Sequence, residues 1–378
     1  MSIEESVLKN DERILFRLRA LYRAHGYMQY KMSKFEEYDL YARNKDFLIS
    51  DNVITFTDTN GKLMALKPDV TLSIVKNSRD VSDCVQKVYY NEHVYRVPKG
   101  SDSFKEIMQM GVECVGHISA YHVSETLTLA AKTLAEFSDA YVLDVSHLGV
   151  LSAFVDRLGC DAGTAKAILA CVSEKNTHGI LDIAKNQDVD LSATEQLCRL
   201  VGMYGESEEI LPRLSALIAE CGECGREAFN DLSERINDVK SVLPHACLHI
   251  DFSVVNSMSY YNGIVFRGFI PGVHTRVLSG GQYDRLLSRM GKMGGAVGFA
   301  IYLDLMETLD DQRPVYDVDT LLVTKNTPSA LVLQAANARV LQGERVLVAD
   351  SIPQNIVAAR VVYLDEKGEE TDANASSR

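Results

Sequence analysis

With 378 residues, 46% of them hydrophobic and 24% charged, the chain has an ordinary globular composition and enough length for two or three domains. It has no run of eighteen apolar residues, which argues against a membrane-spanning helix, and the charged N-terminus MSIEESVLKNDERIL lacks the apolar stretch of a secretory signal. A net charge of −13 disfavours general nucleic-acid binding, where phosphate neutralisation dominates affinity; a cytoplasmic protein with no membrane and no nucleic-acid partner is expected.

Ile14, Leu15, Leu18, Leu21 and Tyr22 share one face of an amphipathic helix predicted over 10–25, which Gly26 ends. Residues 27–32 alternate like a strand. In ITFTDTNGKLMAL the pair Asn60-Gly61 marks a hairpin turn. Residues 86–95 and 109–115 read as further strands, joined by a loop with Pro98 and Gly100. A helix over 124–136 and a buried strand over 141–145 follow. This is an α+β pattern, an antiparallel sheet with helices against it, not a regular βαβ alternation.

From about 147 to 245 successive helical patterns suggest a helical insertion. Strand character returns at 247–254, 263–269 and 275–278, with helices predicted at 283–290 and 298–309. These elements make residues 1–310 one core. Arg313-Pro314 reads as a linker, and 311–378 as a short C-terminal α/β unit of strand, helix and strand. Its last stretch, DEKGEETDANASSR, is predicted to be disordered.

Eight scattered cysteines fit reduced thiols. Cys221 and Cys224 form a lone CxxC without two further ligands at zinc spacing, so no metal and no cofactor is expected. Gly294, Gly295 and Gly298 do not have dinucleotide-fingerprint spacing, and no P-loop or hydrolase motif is present.

The segments LKPDVT, MQMGVE, YYNGIVF and GGQYD together suggest a pocket for a small zwitterion. Asp69 and Thr71 can hold an ammonium group jointly; alternatively either one caps a short helix that begins there. Gln109 and Glu113 lie four apart, hence on one face of a strand, suited to an ammonium and an imidazole N–H; a solvated polar face is the plainer reading. Tyr260 and Tyr261 offer phenols and a ring wall, or simply half-buried packing. Gly280-Gly281 suggests a tight turn that brings Tyr283 to a cleft.

Taken jointly, these segments resemble the histidyl branch of the class II aminoacyl-tRNA synthetases over roughly residues 10–310. LKPDVT resembles its amino-group-binding segment, VYYNEHVYR with FKEIMQMGVECVG its motif 2, and SYYNGIVF its histidine signature. GGQYDRLL and AVGFAIYLDLM resemble motif 3 and its approach. The resemblance implies that Asp69, Thr71, Gln109, Glu113, Tyr260, Tyr261 and Tyr283 face histidine. It also gives Arg96 the place of the motif 2 arginine, a possible anion-binding group.

The departures bear on activity. Asn256 and Leu305 stand where the family has arginines for the reacting phosphate and for ATP. Val97 and Pro98 replace a polar and acidic pair, Lys105 is what remains of the motif 2 loop cations, and Ser33 replaces the motif 1 proline. Loss of one electrostatic stabiliser typically costs about a hundredfold or more, so no catalytic residues are expected in this chain.

Recognition without activation resembles the regulatory subunits of ATP phosphoribosyltransferase, paralogues of the synthetase. That implies a short-form catalytic phosphoribosyltransferase as partner, L-histidine as effector, and a homodimer within a hetero-oligomer. The complex would perform the first step of histidine biosynthesis under histidine feedback. The C-terminal unit, with six basic and nine acidic residues from Val315 on, suits tRNA badly. Two other readings are an orphan histidine-sensing paralogue and an active histidine–tRNA ligase, the latter opposed by Asn256 and Leu305.

Overall fold

The computed structural model describes residues 10–48, 52–78, 84–97, 103–254, 260–305 and 316–372. The chain divides into two compact units, Met1–Leu309 and Asp310–Arg378. Asn256, Pro98, Gly100 and the Arg313-Pro314 linker lie outside the described residues. Among the described residues no helix is long and apolar enough to cross a membrane.

The larger unit is built on a nine-stranded sheet. Across it run Met28–Gln29, Val85–Arg96, Lys105–Gly116, Gly295–Tyr302, Leu278–Gln282, Ile264–Phe269, Val142–His147, Leu248–Asp251 and Tyr204–Glu206. Only the pairings of Met28–Gln29 with its neighbour, and of Val142–His147 with Leu248–Asp251, are parallel. The expected α+β arrangement is therefore what forms.

Alternation along the strands separates two cores. Tyr89, Met110 and Val112 face a large cluster that includes Leu18 and Tyr22 of the helix Asn10–Ala24 and Leu127 and Leu134 of the helix Ala120–Ala135. Val88, Tyr90 and Val115 face a second cluster with Leu72, Ile74, Tyr283 and Leu286. Gly26, at φ +82°, lies just past the first helix in the left-handed region that glycine adopts freely.

Six helices occupy Leu148–Val242, four of them with side-chain N-caps; His147 Nδ1 accepts from Gly149 N at 3.0 Å at the first. Asp161 accepts from Gly163 N at 2.8 Å, Asn176 from Gly179 N at 2.9 Å and Asp190 from Ala193 N at 3.1 Å. A small three-stranded sheet, Phe35–Glu37, Leu63–Leu66 and Thr55–Thr57, carries the Asn60-Gly61 turn.

Several local expectations are corrected. Residues 295–302 form a strand in the middle of the sheet, where the sequence pattern predicts a helix over 298–309. A central strand buried on both faces reads as a continuous apolar run, and periodicity cannot distinguish that from a buried helix. Gly280 and Gly281 belong to the strand Leu278–Gln282 and make no turn. A Cβ at Gly280 would crowd Gly298 O, Phe299 Cβ and Phe266 Cζ at 2.5–2.6 Å, so close packing requires the glycine there.

The smaller unit has a four-stranded sheet in the order Val346–Ala349, Val318–Thr324, Ala358–Leu364, Glu370–Asp372, with the helix Ser329–Val340. The last strand falls in the tail predicted to be disordered. Its turn is organised by Asp365 Oδ1, which accepts from Lys367 N and Glu369 N at 2.8 Å, and by Gly368 at φ +82°.

Candidate ligand-binding site

A cavity of about 250 Å3 opens on the second-core face of the large sheet. Asp69, Thr71, Gln109, Glu113, Tyr260, Tyr261 and Tyr283 all line it, and so does Arg96. Four sequence segments far apart in the chain are thus brought to one place.

The segment LKPDVT is anchored by Lys67, which is completely buried and donates to Glu92 Oε2 at 2.5 Å on the strand Val85–Arg96. Asp69 then does both things its sequence allowed. Its Oδ1 accepts from Leu72 N at 2.8 Å at the start of the helix Thr71–Asn77, and its side chain lines the cavity. Burial raises the Asp69 carboxyl above the ordinary range, while the Leu72 and Thr71 N–H groups and the charge of Arg96 oppose the rise.

Gln109 and Glu113 point from one face of the strand Lys105–Gly116 and are 4% and 2% exposed, which removes the solvated-face reading. Glu113 is the hub: Thr71 Oγ1 donates to its Oε1 at 2.7 Å, and the Tyr283 hydroxyl donates to its Oε2. Burial dominates its titration and pushes it up to about 8, with the two hydroxyls pulling it down and Asp69 pushing it up. Room for the carboxylate comes from Gly298, its register partner on the next strand, where a Cβ would collide with Glu113 Oε2.

The aromatic wall is Tyr260, packed edge-on to Tyr261 at 4.6 Å and to Phe47 at 5.8 Å, and tilted against Tyr283 at 5.5 Å. Asn262 and Asp284 fix the two tyrosine segments relative to each other. Asn262 Nδ2 donates to Asp284 Oδ2 at 2.8 Å, and Asp284 N donates to Asn262 Oδ1 at 2.7 Å.

Tyr90, Arg267, Arg276, Ser279 and Tyr302 also line the cavity and were not anticipated. For Arg267 a signal existed, a lone guanidinium within the apolar strand IVFRGF. Arg276 lies in the irregular stretch before the strand Leu278–Gln282 and offered none. Leu305, by contrast, packs against the large core and is not among the cavity-lining residues. Cys221 is buried and Cys224 exposed, and among the described residues no group of three or more His, Cys, Asp or Glu side chains could hold a metal ion.

A predominantly antiparallel sheet flanked by helices, with such a cavity on one face, is the class II synthetase-like architecture. The chain belongs to the histidyl-tRNA synthetase family, whose model matches residues 3–306. A curated relative named ATP phosphoribosyltransferase regulatory subunit, from Oceanobacillus iheyensis, is 22% identical over 375 residues, 96% of this chain and 90% of that protein. The crystal structure of histidyl-tRNA synthetase from Nostoc is 16% identical, with a TM-score of 0.75 over 99% of this chain and 96% of that one. A chain of the ATP phosphoribosyl transferase (HisG:HisZ) complex from Thermotoga maritima is 18% identical, with a TM-score of 0.61 over 78% of this chain and 97% of that one. The resemblance read from the motifs over roughly residues 10–310 agrees with the family model's match to residues 3–306.

Proposed function

We propose that this chain is the non-catalytic regulatory subunit of an ATP phosphoribosyltransferase, bound to a short-form catalytic subunit and inhibiting the complex when L-histidine fills the cavity. The observation that carries the reading is the relative so named, matched over 96% of the chain. Likeness to a chain of the HisG:HisZ complex from Thermotoga maritima supports a catalytic partner. The position of Leu305 against the core, away from the cavity, supports lost adenylation.

In this reading the ammonium of histidine meets Asp69, Thr71 and Gln109, its imidazole meets Glu113 and Tyr261, and Tyr260 and Tyr283 close the wall. Occupancy biases two states of the complex, a coupling typically worth about 1–3 kcal/mol per linked site. Linkage then requires ligands of the catalytic site to alter histidine affinity by the same factor. A homodimer of this chain within the hetero-oligomer completes the proposal.

The test is phosphoribosyl-ATP formation by the short catalytic subunit of the same organism, with and without this chain and with histidine. Activation by the chain and inhibition by histidine support the reading; a partner unaffected by either sinks it. Histidine-dependent ATP–pyrophosphate exchange by the chain alone would instead establish a histidine–tRNA ligase.

A further inference from the structure

Past the cavity, the same face of the large sheet continues through Arg267 to a buried acidic pair. Arg267 stands in register with Asp144 on the strand Val142–His147, and Asp144 with His249 on Leu248–Asp251. Asp251 follows His249 by two residues and so shares its face. Asp144 and Asp251 are 5% and 6% exposed. Asp251 Oδ1 accepts from Ser253 N at 2.8 Å, whereas Asp144 Oδ1 is buried without a hydrogen bond.

Two cations serve this pair, one from the helical insertion and one from the cavity. Lys175 belongs to the turn between the helices Ala162–Ser173 and Thr177–Asn186. Its Nζ pairs with Asp251 Oδ2 at 2.9 Å and lies 4.3 Å from the centre of the Tyr204 ring. Its backbone is at φ +54°, a conformation that a residue other than glycine keeps where its surroundings hold it. Arg267 lines the cavity, and among the described residues no carboxylate comes within ion-pair distance of it.

The four charges nevertheless act on one another. Burial pushes the Asp144 carboxyl up to about 7 and Asp251 adds to the rise, while Lys175 and Arg267 oppose it. Burial and the neighbouring Arg276 hold the Arg267 guanidinium below its ordinary value, and Asp251, Asp144 and Tyr261 act the other way. Arg267 is thus the shared member, with the acidic pair on one side and the cavity on the other.

Two cations that share one acidic pair compete for it. An anionic group that engages Arg267 from the cavity draws that charge away, and the pair then leans on Lys175. The carboxylate of a bound amino acid is such a group, since Asp69, Thr71, Gln109, Glu113 and Tyr261 take its ammonium and side chain in the reading above. We propose that Arg267, Asp144, Asp251 and Lys175 couple the ligand cavity to the helical insertion, so that a carboxylate bound in the cavity tightens the turn at Lys175 and the insertion reports whether the cavity is filled. The link rests on the histidine reading only for which carboxylate enters.

Hydrogen exchange of the full chain at pH 8, where Asp144 is mostly ionised, tests it at the amides of 172–180, with histidine as the probe. Histidine should slow exchange there about fivefold in the wild-type chain. Arg267→Gln removes the competing cation and should give the same slowing without any ligand; Arg267→Lys, which keeps the charge, should not. Lys175 is not among the cavity-lining residues, yet Lys175→Met should weaken histidine binding about fivefold in calorimetry. Asp144→Asn should strengthen it, an opposite sign that general loosening of the fold would not produce.

Three outcomes overturn the link. One is exchange at the turn indifferent to Arg267→Gln, and another is histidine affinity unchanged in Lys175→Met. The third is weaker binding in both Lys175→Met and Asp144→Asn, which would mean packing rather than shared charge. Slowed exchange in Arg267→Gln without any histidine binding to the wild-type chain would leave the link standing and remove the histidine reading instead.

Discussion

Asn262 and Asp284 hold each other by two hydrogen bonds across twenty-two residues of sequence, side chain to side chain at 2.8 Å and backbone to side chain at 2.7 Å. Asp284 Oδ1 also accepts from Ala296 N at 2.8 Å. The clamp is how the tyrosine pair and Tyr283 come to share one wall.

Removing it should loosen the wall. Asp284→Ala strands two donors, Asn262 Nδ2 and the buried Ala296 N, each costing about 1–3 kcal/mol when unsatisfied. We expect a loss of about 2–4 kcal/mol in urea unfolding, with Asp284→Asn milder, and histidine affinity falling by about tenfold in calorimetry. Unchanged affinity in a destabilised Asp284→Ala protein would separate the clamp from the pocket.

Glu113 makes stability depend on pH. Its folded value of about 8 lies above the ordinary 4.5, so between these pH values the folded chain keeps a proton that the unfolded chain has lost. The associated stability is complete below about pH 4.5 and disappears as pH rises through 8, a total of a few kcal/mol, roughly. Glu113→Gln should flatten that slope in urea titrations at pH 5, 7 and 9. An equally steep slope in the variant would assign the dependence to another group, such as Asp144.

The same carboxyl should report ligand binding. A neutral imidazole N–H that donates to Glu113 favours its ionised form, so binding near pH 7 should release protons. Calorimetry in two buffers of different ionisation enthalpy measures the number. For histidine we expect a release that vanishes in Glu113→Gln, together with weaker inhibition of the complex.

Gly298 leaves space that no side chain can share. In Gly298→Ala the new methyl meets Glu113 Oε2 and, at 2.5 Å, Val112 O. The strand must shift or the carboxylate must turn away, and overpacking of this kind typically costs about 1–3 kcal/mol. We expect loss of ligand binding out of proportion to the change in Tm, measured by calorimetry and thermal unfolding.

Lys67 and Glu92 form an ion pair that is fully buried on one side, with Glu92 17% exposed on the other. Removing one partner leaves the other charge stranded, at a cost of about 3–5 kcal/mol, whereas replacing both with apolar residues is far milder. The comparison of Lys67→Met with Lys67→Met/Glu92→Leu by chemical unfolding checks this. Equal destabilisation would show that packing, not charge, holds LKPDVT on its strand.

Much of the pocket could be read from the chain because its chemistry is local. A proline that forces the residue before it into an extended conformation, a four-residue spacing on a strand and a tyrosine pair before a glycine each constrain which side chains share a face. Gln109 and Glu113 share a face because strand side chains repeat every two residues, and that is independent of what packs around them. The helix Asn10–Ala24 and the Asn60-Gly61 turn were legible for the same reason.

Contact between distant segments, and burial, were decided elsewhere. The chain by itself determined the polar groups at Asp69, Thr71, Gln109 and Glu113, their strand faces and the family they resemble. Only the tertiary structure made 295–302 a strand, since burial on both faces erases the periodicity that separates strand from helix. Only it joined Glu113 to Thr71 and Tyr283 and set Arg96, Arg267 and Arg276 around one cavity, because cross-strand register, not sequence spacing, chooses those neighbours.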